Sequence, residues 1–524
     1  MKTTVLLLLA FAGGAYAQSA CDQLKSLSLP DTTFTTVTSV AAGPYRAPAQ
    51  NADGGGVAPG RAGAAGRGGA AGGRGAGRGP QAPPLILPAY CRVAATLKPS
   101  SDSDIRMEVW MPENWNGKIE VVGNGGWAGV ISYGAMAQAL KEGYASASTD
   151  TGHEGGNGMF ALGHPEKIVD FGYRAVHETV VKSKAITAAF YGKGPKYSYW
   201  NGCSTGGRQA LVEVTRYPDD FDGVVAGAPA NPHLHLHASS VARAIEEIHL
   251  GQEAALTPAK VETLHKAVME QCDARDGVKD GLIGDPHKCK FDPSVLLCKN
   301  GDSDNCLTAA QVRLVKVVYA DVKTKKGETI WTGFEPGGEL QYASLRNIPT
   351  QPGGGIDSIR ILGYQNADWD WKTFDLDRDV AMADEKAGFI DAHTYDLSPF
   401  KAHGGKLLLY HGWADQAIPP GNTINFYNGV LAKMGSKQDD WMKLYMVPGM
   451  MHCQGGEGPD QFNKMAVIER WRESGTAPKE IVASHVSGGQ VDRTRPLCAY
   501  PQVAVYKGTG STNDASSFSC KLPS

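Results

Sequence analysis

The sequence predicts an α/β protein built on a parallel β-sheet with helices on both faces. Short apolar runs typical of buried strands alternate with helical patterns in the first half of the chain, and strand-like runs resume after residue 400. A Gly-x-Ser-x-Gly motif lies between a strand-like and a helix-like segment, and an aspartate and a histidine follow it in the order Ser, Asp, His. That motif and that order predict an α/β-hydrolase fold.

The length of 524 residues favours a main domain with a substantial insertion. Between about 231 and 400 the strand-helix alternation fades, which predicts a lid domain there and a catalytic domain formed by 18–230 and 401–524. Hydrophobic residues make up 42% of the chain and charged residues 20%, as in ordinary globular proteins. The net charge of −3 gives no electrostatic support for binding nucleic acid or an anionic membrane.

Residues 1–17 have the pattern of a cleaved signal peptide, with an apolar run at 5–12 that is too short to span a bilayer. No later stretch approaches about 20 uninterrupted apolar residues. We therefore expect a secreted or periplasmic protein that acts away from the membrane. The ten cysteines would then meet oxidising conditions, although their spacing alone leaves the pairing open.

Residues 51–84 are almost entirely Gly, Ala, Arg and Pro, a composition that cannot bury enough apolar area to fold. We interpret this stretch as a flexible loop. An arginine-glycine segment that binds nucleic acid is the alternative, but four arginines in an exported chain support it poorly.

Several strand-like runs precede the serine motif. One at 105–111 alternates, and another at 118–122 leads directly into the glycine-rich loop 123–129. This loop lacks the Lys-Ser/Thr ending of a phosphate-binding loop, and α/β-hydrolases place an oxyanion-binding amide at this position. The amide of Gly126, or of Gly125, is the candidate, together with the amide of Thr205.

Further strands are predicted at 144–149 and 223–227, with a long helix from about 167 to 191 between them. Three alternate histidines follow, at positions 233, 235 and 237. On a strand they would share one face, which admits a metal site, but without a further ligand nearby a packed or solvated row is favoured.

The candidate catalytic residues are Ser204, Asp415 and His452. Ser204 is the centre of Gly-x-Ser-x-Gly, Asp415 follows the apolar run 406–410, and His452 lies on the loop after a strand-like run at 444–447. A serine needs a base to take its proton, and the base needs a carboxylate to fix its tautomer. The set predicts acyl transfer to water through an acyl-enzyme. His411 competes as the base, but so close to Asp415 it is better placed to line the substrate pocket.

Two features of the lid carry possible ligands. An acidic loop offers three carboxylates and two backbone carbonyls, the hard oxygen ligands of calcium, and an acidic turn without metal is the equal alternative: Asp273, Asp276, Val278, Asp280 and Leu282. The aromatic stretch 364–371 contains Trp369 and Trp371, which could stack on a flat substrate or simply pack in a core.

The adjacent Cys203-Ser204, Asp415 in His-Gly-Trp-Ala-Asp, and the adjacent His452-Cys453 resemble the pattern of the tannase and feruloyl esterase family, which includes mono(hydroxyethyl) terephthalate hydrolase. The resemblance implies a calcium-binding lid that uses the acidic loop, and it implies no organic cofactor. It also implies the disulfides Cys203–Cys453, Cys21–Cys91, Cys272–Cys289, Cys298–Cys306 and Cys498–Cys520.

The resemblance further implies a serine esterase that cleaves esters of aromatic, phenolic acids in the manner of a feruloyl esterase. Tannase activity on galloyl esters and hydrolysis of mono(hydroxyethyl) terephthalate are the alternatives. A catalytically silent binding module is the alternative from another class, and Cys203 is the alternative nucleophile. A serine-directed fluorophosphonate would separate these last two from a Ser204 enzyme.

Overall fold

A computed structural model describes residues 20–48 and 84–523. The predicted signal peptide 1–17 lies outside the described residues, as does the Gly/Ala/Arg-rich stretch apart from its last residue. Nine strands form the central sheet: β1 (Thr32–Val40), β2 (Tyr90–Leu97), β3 (Ile105–Pro112), β4 (Lys118–Val122), β5 (Ala145–Thr149), β6 (Tyr197–Cys203), β7 (Gly223–Gly227), β8 (Lys406–Gly412) and β9 (Met442–Val447).

The spatial order of the strands is β1-β2-β3-β5-β4-β6-β7-β8-β9. The six strands from β5 to β9 in this order are parallel to one another, whereas β1, β2 and β3 add antiparallel pairs at one edge. Strand β7 within the sheet and strand β9 at its end are buried along their whole length, because helices cover both faces of a parallel sheet. The outer strand β2 instead alternates buried and half-buried residues. This arrangement confirms the predicted α/β-hydrolase fold.

The helices are α1 (Tyr133–Lys141), α2 (Pro165–Val169), α3 (Ala175–Tyr191), α4 (Thr205–Arg216), α5 (His233–Leu250), α6 (Pro258–Cys272), α7 (Ala309–Tyr319), α8 (Leu376–Ala387), α9 (Ser398–Ala402), α10 (Gly421–Met434) and α11 (Lys464–Ser474). There are two π-helical turns. Asp170–Arg174 joins α2 to α3, and Ser358–Gly363 precedes α8. Among the described residues, no helix has the length and apolar character needed to cross a bilayer.

Four short strand pairs lie outside the central sheet. Their strands are Gly43–Pro44 with Ile86–Leu87, Val322–Lys323 with Thr329–Trp331, Glu480–Ser487 with Gln490–Cys498, and Val503–Tyr506 with Phe518–Lys521.

The chain between β7 and β8 forms a large insertion, because these two strands are neighbours in the sheet although residues 228–405 separate them. Helices α6 and α7 build a hydrophobic cluster within this insertion, around Leu264 and Leu314. A second cluster joins α5 and α8 to Trp127 on the loop after β4. The insertion therefore packs against the carboxyl edge of the sheet. The exact limits 231 and 400 stay a prediction.

Residues 233–237 form the first turns of α5, so the strand on which three histidines would share one face is absent here. The alternation over five residues also fits a strand. The buried residues Leu234, Ala238 and Val241, however, are four and three positions apart, which is the spacing of a helix. The three histidines consequently do not share a face. His233 and His237 pack against Trp127, whereas His235 bonds Asp384 at 2.9 Å.

Candidate active site

Ser204 occupies a sharp turn between β6 and α4. Its φ of 66° and ψ of −124° lie outside the regions that non-glycine residues usually adopt. A Cβ atom at Gly202 would lie 2.4 Å from the Gly206 carbonyl oxygen, and one at Gly206 would lie 3.2 Å from the Asn124 carbonyl oxygen. The two glycines of the motif are therefore needed so that the turn can close and present the serine at the carboxyl edge of the sheet.

Asp415 follows β8 and is completely buried. Its Oδ1 accepts hydrogen bonds from the amides of Ala417 and Ile418, each at 2.8 Å, and its Oδ2 accepts one from His452 Nδ1 at 2.8 Å. These contacts fix the carboxylate and assign the proton of the His452 ring to Nδ1. The Nε2 atom is left as the basic nitrogen, as a general base for Ser204 requires.

The charges of this pair reinforce each other. Burial opposes ionisation of Asp415, but the two histidines beside it outweigh burial and hold the pKa of the carboxyl well below its usual range. Burial also opposes protonation of His452, but the charge of Asp415 and its hydrogen bond raise the pKa of that imidazole. The pair can therefore stabilise the imidazolium that forms when His452 takes a proton.

A disulfide joins the neighbours of the serine and the histidine in the chain. Cys203 and Cys453 are bonded, with their Cα atoms 6.0 Å apart, although 250 positions separate them in sequence. Ser204 and His452 are thus tied to the same edge of the sheet. Since its sulfur is in the disulfide, Cys203 is not an available nucleophile. We call Ser204, Asp415 and His452 the catalytic edge.

The segments that carry the two predicted oxyanion donors lie in contact. The Thr205 hydroxyl donates to the Gly126 carbonyl, and the Gly206 amide donates to the Asn124 carbonyl at 2.8 Å. The loop after β4 is therefore docked against the start of α4, which brings the amides of Thr205 and Gly126 to one region beside Ser204. The Thr205 amide at the N-terminus of α4, together with a second amide from this loop, suits a developing oxyanion.

Asn124 and Gln209 hold this loop in place, and sequence reasoning missed both roles. The backbone amide of Asn124 donates to Gln209 Oε1 at 3.1 Å, and Gln209 Nε2 donates to Asn124 Oδ1 at 2.9 Å. Asn124 Nδ2 also donates to the Thr149 carbonyl at 2.7 Å. The pairing is not visible in the sequence because the two side chains are 85 positions apart.

The predicted pocket role of His411 is wrong. Its side chain is completely buried, with Nε2 placed 3.0 Å from both Asp415 Oδ2 and the Ile418 carbonyl, and Nδ1 placed 2.8 Å from the Thr423 hydroxyl. Both neighbours of Nε2 are acceptors, so Nε2 carries the proton and donates it. His411 therefore holds the carboxylate of Asp415 by a hydrogen bond from a completely buried position, and it does not face a substrate.

Trp369 belongs to an aromatic lid cluster that we define as Tyr364, Trp369 and Phe374. Trp369 stacks on Tyr364 at 5.7 Å between ring centres and meets Phe374 edge-on at 6.4 Å. Trp371 lies half-buried at the start of the turn that leads to Phe374. The cluster packs with the group that contains Trp127 of the glycine-rich loop 123–129, which we call the oxyanion loop. Contact of Trp369 and Trp371 with substrate stays a prediction.

The acidic loop of the lid curls around its own carboxylates. Asp273 accepts the amides of Asp280 and Gly281, at 3.3 and 3.0 Å, and Asp276 accepts the amide of Val278 at 3.3 Å. Asp280 accepts the amide of Leu282 at 3.3 Å, and its second oxygen pairs with Arg495. The five predicted ligands thus lie in one compact loop.

The structure contains the five disulfides that the resemblance implies. Besides the bridge at the catalytic edge these are Cys21–Cys91, Cys272–Cys289, Cys298–Cys306 and Cys498–Cys520. The Cys272–Cys289 bridge encloses the acidic loop.

Comparisons with known proteins agree with this geometry. The model of a family described as tannase and feruloyl esterase matches residues 91–521. An uncharacterized esterase of Xanthomonas campestris pv. campestris is 37% identical over 561 residues, which cover 97% of this chain and 92% of that protein. Probable feruloyl esterase B-2 of Aspergillus terreus is 35% identical over 452 residues, which cover 82% of this chain and 86% of that protein. The crystal structure of feruloyl esterase B from Aspergillus oryzae has a TM-score of 0.85 at 32% identity and covers 96% of this chain and 100% of its own.

Proposed function

Because the chain belongs to the tannase and feruloyl esterase family and is a feruloyl-esterase-like carboxylic ester hydrolase, we propose that it cleaves esters of aromatic, phenolic acids through an acyl-enzyme on Ser204. The observation that carries the proposal is the catalytic edge. The Asp415–His452 hydrogen bond orients the base, and the Cys203–Cys453 bridge holds the base beside the serine turn.

Acylation begins when the Ser204 Oγ attacks the ester carbonyl carbon and passes its proton to His452 Nε2. The carbonyl oxygen becomes an oxyanion, which accepts hydrogen bonds from the amides of Thr205 and Gly126. Removing one such donor typically raises the barrier by about 3 kcal/mol. The intermediate then collapses, the imidazolium of His452 gives its proton to the departing alcohol oxygen, and the acyl group stays on Ser204.

Deacylation repeats these steps with water. His452 takes a proton from a water molecule, whose oxygen attacks the acyl carbon, and the same two amides bind the second oxyanion. Collapse breaks the bond to Ser204 Oγ, which regains a proton from His452. The products are the free aromatic acid and the regenerated enzyme.

The choice of an aromatic acyl group rests on the relatives and on the lid. Proteins named feruloyl esterase are 32 to 36% identical to this chain over most of its length. The aromatic lid cluster packs beside the oxyanion loop, where it can meet a flat acyl group as the lid covers the bound ester. Ferulate is accordingly the favoured acyl group, ahead of gallate and of mono(hydroxyethyl) terephthalate.

Initial rates on methyl ferulate, methyl caffeate, methyl gallate and mono(hydroxyethyl) terephthalate test this proposal, with Ser204→Ala as the control. We expect the wild type to cleave methyl ferulate fastest and the variant to lose at least 10³-fold in kcat. A much faster rate on methyl gallate would replace ferulate by gallate as the acyl group. Turnover of any ester that survives Ser204→Ala unchanged would refute the serine mechanism.

A calcium ion in the lid is part of the same proposal. Burial and the neighbouring Asp280 raise the pKa of Asp276 to about 7, so negative charge in this loop lacks full compensation. Three carboxylates and two carbonyls form an all-oxygen donor set that fits calcium. Asp273, Asp276 and Asp280, with the carbonyls of Val278 and Leu282, would hold the ion. It would tie the lid loop together.

Thermal unfolding with and without chelator tests the calcium site. We expect the chelator to lower Tm by several degrees and added calcium to restore it, whereas Asp276→Asn should show a smaller response. An identical Tm in chelator and in calcium would exclude a structural ion in this loop.

We further propose that the protein is exported, either secreted or periplasmic. Five disulfides in the described residues and the leader-like pattern of residues 1–17 support this. The intact mass of the exported protein should correspond to a chain that starts at Gln18. A mature protein that retains Met1 and stays with reduced cytosolic proteins would contradict export.

A further inference from the structure

A second group of titratable side chains lies where the C-terminal half of α4 meets α3. It consists of His177 in the first turn of α3, Glu213 near the end of α4, and Asp220 in the turn before β7. Glu213 follows Ser204 by nine positions, which is about 13 Å along the helix axis. The group therefore has no part in the catalytic edge.

Glu213 has no hydrogen-bond donor within the described part of the chain. Its side chain is only 1% exposed, and neither carboxylate oxygen is bonded there. The nearest charges do not neutralise it directly, because His177 Nδ1 bonds Asp220 Oδ2 at 2.7 Å and Lys184 Nζ donates to the Asp220 carbonyl at 2.5 Å. Glu213 instead lies beside a second carboxyl group, Asp220. A buried carboxylate in such a place costs several kcal/mol, so a proton or a cation must compensate it.

We propose that His177, Glu213 and Asp220 bind one divalent transition-metal cation of the zinc class. One ligand atom from each side chain lies within 4.8 Å of the other two. Tetrahedral zinc with bonds of about 2.1 Å needs ligand atoms about 3.4 Å apart, so the side chains reach this geometry by small shifts. The imidazole selects zinc over calcium and magnesium, which prefer oxygen ligands throughout.

The surroundings support a built site. The ring of Tyr217 stacks on His177 with ring centres 3.7 Å apart and planes 8° apart, which fixes the orientation of the imidazole. The His177 side chain is 27% exposed, which leaves a path for the ion and a fourth position for water. The positive charge of Lys184 would remain beside the site and offset part of the negative charge of the two carboxylates.

Other sites compete poorly for the same ion. Among the described residues, the other group whose three ligand atoms all lie within 4.8 Å of one another contains Cys298 and Cys306, but their sulfurs are bonded to each other. The described residues contain no free cysteine. The competing occupant of the Glu213 site is a proton, since burial and the nearby Asp220 raise the pKa of Glu213 well above its usual range.

Calorimetric titration of the full chain with zinc chloride tests the site. The protein is first treated with a chelator, and calcium chloride is then kept in excess so that all-oxygen sites are filled. We expect the wild type to bind one zinc ion that Glu213→Gln and His177→Phe bind at least tenfold more weakly. Glu213→Gln keeps the shape of the side chain, and His177→Phe keeps the stack on Tyr217. Neither change touches the catalytic edge, so esterase activity reports that each variant is folded.

His485→Phe is the matched control. His485 also bonds a carboxylate, Asp492, at 2.6 Å, but that pair lies in an exposed hairpin without a third ligand. This variant should bind zinc as the wild type does.

Equal zinc binding by the wild type and by the two site variants would overturn the proposal. Failure of the wild type to bind zinc would also overturn it and leave a shared proton as the occupant. If a site variant does not fold, zinc-edge anomalous scattering from wild-type crystals soaked in zinc decides, because the peak must lie between these three side chains.

Discussion

The catalytic edge and the aromatic lid cluster are held by different forces. At the edge, hydrogen bonds from two amides and two imidazoles converge on the carboxylate of Asp415, and a disulfide ties the serine turn to the histidine loop. In the lid cluster, Trp369 stacks on Tyr364 and meets Phe374 edge-on. Directional bonds fix atoms to the accuracy that proton transfer needs, whereas ring packing tolerates small shifts. We therefore expect the catalytic edge to tolerate positional change less than the aromatic lid cluster does.

The largest expected effect comes from the carboxylate of the catalytic edge. Asp415→Asn should lower kcat by about 10⁴-fold and leave KM nearly unchanged, because an amide can no longer hold His452 in the tautomer with a proton on Nδ1. Steady-state kinetics on methyl ferulate measure this. The exposed Asp396→Asn serves as control and should keep full activity. A loss of kcat of less than tenfold would show that Asp415 is not the carboxylate that orients His452.

Removal of the bridge at the edge should have the next largest effect. The double variant Cys203→Ala, Cys453→Ala should lose about 2 to 4 kcal/mol of unfolding free energy and at least tenfold in kcat, because Ser204 and His452 are no longer tied together. Denaturant unfolding and kinetics measure the two losses. The double variant Cys298→Ala, Cys306→Ala opens a bridge over only eight positions in the lid and should retain kcat. An equal loss of kcat in both double variants would show that the Cys203–Cys453 bridge does not position Ser204 and His452.

His411 should affect both the rate and its pH dependence. The base His452 must be neutral, so activity falls as the pH drops through its raised pKa. His411→Leu removes one donor from Asp415, whose charge then acts more strongly on His452. We expect kcat to fall about tenfold and the acid limb of the kcat/KM profile to move to higher pH.

The Gln variant at this position separates positioning from packing. His411→Gln retains a donor and should recover part of the rate and of the pH profile. A fall in rate with no movement of the acid limb would mean that His411 only fills space.

The smallest effect should come from the aromatic lid cluster. Trp369→Ala should raise KM for methyl ferulate about fivefold with little change in kcat, because it removes stacking area and leaves the reacting atoms in place. Trp369→Phe should keep most of the affinity. A small aliphatic ester should respond to neither change, and an equal rise in its KM would show that Trp369 only supports the fold of the lid.

Much of the fold follows from local sequence patterns. The strands predicted at 118–122 and 223–227 match β4 and β7, because short apolar runs bounded by glycine or turn residues have few other solutions. The alternation at 233–237 does not decide between strand and helix, because five residues fit either period. The longer run that follows favours α5. Residue order along the chain also sufficed to propose the members of the catalytic edge.

Contacts between distant segments could not be predicted. His411 could not be assigned as the support of Asp415, because that role depends on a buried position shared with Thr423. The Asn124–Gln209 pair depends in the same way on the docking of the oxyanion loop against α4. These roles depend on which side chains come together when the helices pack. Local sequence patterns do not predict such contacts.

The most direct test of the account is to trap the acyl-enzyme. Wild-type enzyme is mixed with methyl ferulate, quenched in acid within the first turnover, and analysed by intact mass and peptide mapping. We expect a mass increase of one feruloyl group on the peptide that contains Ser204, and no increase in Ser204→Ala. A feruloyl group on another residue, or steady turnover of the ester by Ser204→Ala, would contradict it.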